Sequence, residues 1–394
     1  MALALGNQAF AEGEKAEASK TESAEVVSAP APAATKSNNL MFTTAKYAYV
    51  YDSTTGVALL SKSGDEAVPP SSMSKIMTLY ILFDRLKKGD LKLDDTFLIN
   101  ETAWSKQGSK MFVKLNDLVK IEDLLRGIAI QSGNDACIAV AEGIAGSEDA
   151  FVRLMNQKAQ ELGLKNSHFV NATGWPDEGH VMSAHDLAIL ADHLINDFPD
   201  YYHYFAEKEF VFNGIHQHNR NLLLGRADLG VDGLKTGHTE IAGYGIVVSA
   251  KQGDDRIIVV LNGMTSEKER AMEAERLVRH VFRNFERAKL LKAGQVVDKA
   301  EVWFGQENEV SLTVDKDIVA TLPVGWQKHT EFKVKYDGPL TAPLKKGDKV
   351  ATLIVTPTEM DQIEIPLVAG NDVEKLSTVS HMIRAAGYYA GGGK

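Results

Sequence analysis

The chain has 394 residues, more than one hydrophobic core usually serves, so two domains are expected. A net charge of -10 argues against a nucleic-acid binder, whose footprint would be basic, yet leaves room for a local basic site facing an anionic substrate. The single cysteine, Cys137, rules out an internal disulfide, and no run approaches the ~20 apolar residues of a membrane-spanning helix.

In chain order, residues 1–11 (MALALGNQAFA) read as the remnant of an export signal. Their short apolar piece ends in Ala9-Phe10-Ala11, a small-x-small cleavage pattern. Residues 12–39 are rich in Ala, Glu, Ser, Lys and Pro, cannot bury a core and are expected to form a disordered linker. Over residues 46–61, apolar and polar positions alternate around Thr55-Gly56, which predicts a β-hairpin. A helix is predicted over 72–86. Residues 100–200 read mostly helical, with Ser147 capping one helix and Ser183 opening another. Cys137 lies in an apolar run there and reads as a packed helix residue. From 209 the pattern turns to strands, including a hairpin about Gly253-Asp254-Asp255, followed by a long amphipathic helix over 265–288.

Beyond 288 short alternating segments separated by Gly, Pro and Asp predict a small all-β sandwich. The expected division is therefore a helix-plus-sheet (α+β) domain at 40–288, an all-β domain at 289–370 and a tail at 371–394. The tail spaces Val373, Leu376, Val379, Met382, Ile383 and Ala386 along one stripe. It reads either as an amphipathic membrane-associating helix or as a helix packed on the β domain.

The stretch Ser72-Met73-Ser74-Lys75 carries the first chemical signal. Residues three apart share a helix face, so a lysine amine lies within reach of a serine hydroxyl at the helix start. A capping serine needs no lysine. A nucleophilic serine needs a base, and a lysine of lowered pKa supplies one. Ser72 is the only serine in the chain followed by lysine at the third position. Ser132-Gly133-Asn134 interrupts two apolar helical runs, and Lys235-Thr236-Gly237 opens the strand region.

Together, in the order Ser-x-x-Lys, Ser-x-Asn, Lys-Thr-Gly, these segments resemble the motif set of the penicillin-binding and serine β-lactamase superfamily. The stretches PPSSMSKIMT, QSGNDA, HNRN and VDGLKTGHT narrow the resemblance to the D-alanyl-D-alanine carboxypeptidases among the low-molecular-weight penicillin-binding proteins, from about Lys46 to Val368. Two positions depart from the usual pattern: Ser71 stands for alanine and Ser74 for threonine.

The resemblance implies a transpeptidase α/β fold and a role for each motif residue. Ser72 would be the acylated nucleophile and Lys75 its base. Ser132 would relay a proton between the lysines and the leaving D-alanine, and Asn134 would bind the substrate's peptide carbonyl. Lys235 would add positive potential and lower the pKa of Lys75. Thr236 would meet the terminal carboxylate, Gly237 would keep the strand edge open, and the backbone N–H groups of Ser72 and His238 would form an oxyanion hole. Arg220 is the candidate carboxylate clamp, with Arg270 as a second candidate. The implied partners are peptidoglycan pentapeptide stems, β-lactams as inhibitors and the outer face of the inner membrane, in the periplasm, with no metal, cofactor or nucleic acid.

Four rival readings differ in their requirements. A class A β-lactamase needs a Glu-x-x-Leu-Asn loop, which is missing between Asn134 and Lys235. A DD-endopeptidase would use the same residues without the second domain. A β-lactam or peptidoglycan sensor needs membrane spans. A zinc peptidase would draw on His216 and His218, with His180, His185 and His193 upstream.

Overall fold

The computed structural model describes residues 41–358 and 360–377. The export-signal and linker readings over 1–39, and most of the tail reading, lie outside the described residues.

Strands β1 (Tyr47–Asp52) and β2 (Val57–Lys62) form the expected hairpin. A 3-10 turn over Ser71–Ser74 leads into α1 (Lys75–Lys88). Two short strands, β3 (Thr96–Leu98) and β4 (Leu118–Lys120), pair around α2 (Glu101–Ser105). Helices α3 (Ile121–Ala129), α4 (Asn134–Ala145), α5 (Glu148–Glu161), α6 (Ala184–Asp197) and α7 (Pro199–Tyr202) follow. Ser147 and Ser183 cap α5 and α6 by accepting from the N–H groups of Ala150 and Asp186. The hairpin of β5 (Glu209–Phe212) and β6 (Ile215–His218) precedes β7 (Val231–Thr239), β8 (Gly243–Gln252), β9 (Asp255–Met264) and α8 (Glu267–Asn284).

The main antiparallel sheet has the order β2-β1-β9-β8-β7. Its two-residue side-chain period sorts β8 and β9 between two cores. Ile246, Val248, Ile257, Val259 and Leu261 face a cluster with Ala274, Leu277, Val278 and Val281 of α8. Val247, Ile258 and Val260 face the larger cluster built on α1, α3, α4 and α6. Helices thus cover both faces, and β7 is left as an edge strand.

The expected helix over 265–288 is cut short. Phe285 is extended, and Phe285–Leu291 form strand β10. Asn284 donates to the His280 carbonyl in the last turn, and pairing with a distant strand overrides the local helical pattern. That partner is β13 (Ile318–Pro323), in a two-stranded ribbon. The remaining strands are β11 (Val296–Trp303), β12 (Glu309–Thr313), β14 (Thr330–Lys335), β15 (Leu340–Thr341), β16 (Lys349–Pro357) and β17 (Ile363–Ala369). They form one sheet of order β14-β16-β17-β12-β11-β15 over a core that includes Val310, Leu312, Val355 and Leu367.

From Phe285 to Ala369 the chain is built on β-strands, as expected of the second domain. Residues 371–377 are not helical: Val373 pairs with Leu344 and is buried in the β core. Strand β13 touches the first domain, where the Thr321 hydroxyl donates to the Asp52 carboxylate and shares a hydrogen bond with Thr55. This contact meets the β1–β2 hairpin, at the opposite edge of the sheet from β7.

Candidate active site

The 3-10 turn places Ser72 at the mouth of the site and turns Lys75 inward. The Lys75 amine is fully buried and lies 2.8 Å from the Ser72 hydroxyl. It also donates to the Thr173 carbonyl. Ser72 is not a helix cap, since no side chain caps the turn. Burial first, with the Arg220 guanidinium adding to it, pushes the Lys75 amine down to about 8. An amine with that pKa is free base in about a tenth of molecules at pH 7, far more than an ordinary lysine, and general-base work needs that form.

The Thr173 carbonyl is the part of this arrangement that the sequence analysis missed. It is aimed by Asn171, whose side-chain oxygen accepts from the N–H groups of Thr173, Gly174 and Trp175 and from the Thr173 hydroxyl. An Asn-x-Thr-Gly turn signal was there to read. Gly174, at φ +79°, completes the turn. A Cβ there would stand 2.0 Å from the Ser71 carbonyl oxygen, so the loop and the nucleophile turn are packed backbone to backbone.

The turn between α3 and α4 supplies the second motif. Ser132 is in the left-handed region at φ +63°, and its buried hydroxyl has no hydrogen-bond partner among the described residues. The Asn134 amide donates to the Gln107 carbonyl. Asp135 accepts from the N–H groups of Met111, Phe112, Val113 and Ala136, which ties the 107–113 loop to the start of α4. Cys137 is buried beneath the site, and burial pushes its thiol up to about 12, so it is not a nucleophile.

Edge strand β7 closes the third side. Lys235 is buried and donates to the Thr236 carbonyl. Burial first, then the charges of Lys75 and Arg220, hold its pKa well below the lysine range. Thr236 is buried, and His238 is exposed with its ring stacked on Tyr244. A Cβ on Gly237 would lie 3.0 Å from the Pro70 carbonyl oxygen and the Ser71 Cβ, so glycine lets β7 lie against the nucleophile turn.

Arg220 is surface-exposed, yet desolvation lowers its pKa, as expected at the rim of a charged cleft. Its neighbours hold it there. Asn219 donates to the Glu207 carbonyl, and Asn221 donates to that of Gly233. Arg270 sits behind Arg220. It is buried under the Tyr244 ring, pairs with Glu267 and donates to the Arg220 carbonyl. It supports the loop that presents Arg220.

The upstream histidines do not assemble with His216 and His218. His180 is buried in the 171–183 loop and accepts from the Val170 N–H, whereas His185 pairs with Asp65 and His193 with Asp197.

Native Lys75 loses its proton near pH 8, whereas an unfolded lysine holds its own to ~10.4. Between those values the unfolded chain binds more protons, so the contribution of Lys75 to stability rises with pH. Relative to wild type, Lys75→Met is expected to gain up to about 3 kcal/mol as pH falls from 10 to 8. Denaturant unfolding across that range checks this; parallel stability curves for the two proteins would refute it.

Comparison with known proteins gives the same answer at every level. Residues 33–265 match the D-alanyl-D-alanine carboxypeptidase family, and residues 285–375 match the C-terminal domain of penicillin-binding protein 5. The chain is 42% identical over 311 residues to the D-alanyl-D-alanine carboxypeptidase DacA of Escherichia coli, covering 77% of each chain. Penicillin-binding protein 5 of Haemophilus influenzae superposes with a TM-score of 0.72 at 36% identity, covering 89% of this chain and all of that one. Penicillin-binding protein D2 of Listeria monocytogenes, solved in an ampicillin-bound form, superposes at 0.56 with 26% identity over 61% of this chain and 98% of its own. With that family matched over most of its first 265 residues and a relative 42% identical over three quarters of its length, the chain belongs to the D-alanyl-D-alanine carboxypeptidase family.

Proposed function

We propose that this carboxypeptidase removes the terminal D-alanine from peptidoglycan pentapeptide stems through an ester on Ser72. The observation that carries the reading is the 2.8 Å contact between the Ser72 hydroxyl and a buried Lys75 amine with a pKa near 8. Neutral Lys75 accepts the Ser72 proton as Oγ attacks the penultimate carbonyl. The alkoxide that develops is held by the backbone N–H groups of Ser72 and His238. Ser132, whose hydroxyl is otherwise unengaged, passes the proton from Lys75 to the leaving amine of D-alanine. Water then attacks the ester, with Lys75 as base, and Ser72 is regenerated as the shortened stem leaves.

Asn134 orients the peptide by its carbonyl. Lys235, Thr236 and Arg220 receive the terminal carboxylate, for which charge-assisted and bidentate bonding suits Arg220. Arg270 acts through Arg220. Edge strand β7, kept approachable at Gly237, offers its backbone to the extended peptide. β-Lactams bear a carboxylate and a strained amide, so the same groups acylate Ser72 with them. The substrate lies outside the cytoplasm, so the protein works in the periplasm, with the tail beyond residue 377 as its contact with the outer face of the inner membrane. No described helix is long and apolar enough to cross that membrane.

Ser72→Ala is expected to abolish labelling by a fluorescent penicillin and leave thermal melting nearly unchanged. In muropeptide digests, wild type alone should convert pentapeptide to tetrapeptide. Splitting of cross-linked dimers with pentapeptides left intact would make the protein an endopeptidase instead. The acylation rate should rise about tenfold per pH unit below about 8 and level off above it; a flat profile would remove Lys75 as the base. Arg220→Ala should lower kcat/KM by about 10- to 100-fold, the worth of one charged hydrogen bond, and an unchanged value would release Arg220 from the clamp. Gly174→Ala should slow acylation by about 100-fold by moving the nucleophile turn; penicillin labelling at the wild-type rate would show that the packing is slack.

A further inference from the structure

The β5–β6 hairpin carries a cluster that the peptidase chemistry does not use. The two strands are joined by Asn213-Gly214, both at positive φ, a turn that fixes the register of a two-residue hairpin. That register sets Glu209 opposite His218 and Val211 opposite His216. His216 and His218 are two apart on one strand and so project from the same face, toward the cross-strand Glu209. One carboxylate oxygen of Glu209 lies 3.0 Å from His216 Nε2 and 3.4 Å from His218 Nδ1. The three donor atoms fall within 4.8 Å of one another, and all three residues are exposed.

We propose that this hairpin face binds a divalent transition-metal ion of the zinc type. In a tetrahedral site with metal–ligand bonds of about 2.0–2.1 Å, neighbouring ligand atoms stand about 3.3 Å apart, close to the two nitrogen–oxygen separations here. Two imidazoles and one carboxylate are a borderline donor set that selects zinc, copper, nickel or cobalt over calcium and magnesium, which prefer all-oxygen sites. Three protein ligands leave a fourth position for water.

The site lies at the end of the hairpin that continues into the active-site rim. Asn219 and Arg220 follow His218 directly, and Lys208 precedes Glu209. The hairpin is also tied to the 107–113 loop, through Gln217 to the Lys110 carbonyl and Asn213 to that of Phe112. A bound ion fastens β5 to β6 beside Arg220, where a histidine–carboxylate pair alone is open to water and weak.

The test is a zinc titration, by calorimetry, of the chelator-stripped full chain carrying no polyhistidine tag. One zinc per chain is expected, undiminished by excess magnesium or calcium. Cobalt(II) in its place should give the visible absorption of a tetrahedral site. Binding should be lost in the H216A/H218A double variant and weakened in Glu209→Gln. Both variants alter exposed side chains, so their melting and penicillin labelling in metal-free buffer should match wild type, which separates this site from the catalytic reading. No zinc uptake by wild type, or equal uptake by the double variant, would overturn the proposal.

Discussion

The site depends on one unfavourable act of burial, the enclosure of the Lys75 amine. A lysine that is to take a proton from serine near neutral pH must be kept out of water, and here burial is the leading cause of its lowered pKa. The surrounding structure serves that burial without cancelling it. A carboxylate beside Lys75 would have restored the positive charge. Two neutral oxygens, the Ser72 hydroxyl and the Thr173 carbonyl, give the amine partners without doing so. The groups around the amine come from separate segments, among them the nucleophile turn, the α3–α4 turn, the 171–175 loop and edge strand β7.

That convergence explains the close backbone packing. Gly174 sets its loop against the Ser71 carbonyl, and Gly237 sets β7 against the same turn from the other side. Side chains at either position would wedge the elements apart, and catalysis of this kind tolerates little misplacement. The turn that carries Ser72 is thus held through its backbone, between a loop and a strand, which leaves the hydroxyl to Lys75 alone.

The motif residues were legible because their geometry is local. A serine and lysine three apart must share a face, and a Lys-Thr-Gly strand announces its own flat edge. The hairpins about Gly56 and Gly253 were equally readable, since alternation and turn residues agree there. What escaped was non-local or carried by the backbone. The Thr173 carbonyl has no side-chain signature, and only its Asn171 support could have pointed to it. The first residues of the strand at Phe285–Leu291, up to 288, looked helical because their partner lies some thirty residues away. Arg270 looked like a substrate contact, but position on a helix does not reveal that Tyr244 covers it.

The charge balance of the whole chain hid the character of the cleft in the same way. A chain of net charge -10 gathers Lys75, Lys235, Arg220 and Arg270 closely enough that several of them depress one another's pKa. Solvent ions screen charges beyond about 8 Å, so the acidic exterior and the basic cleft act on different partners. A net negative exterior repels other polyanions. Within the cleft the field is positive and the surroundings are poor in water, so a substrate carboxylate gains more there than at an exposed arginine.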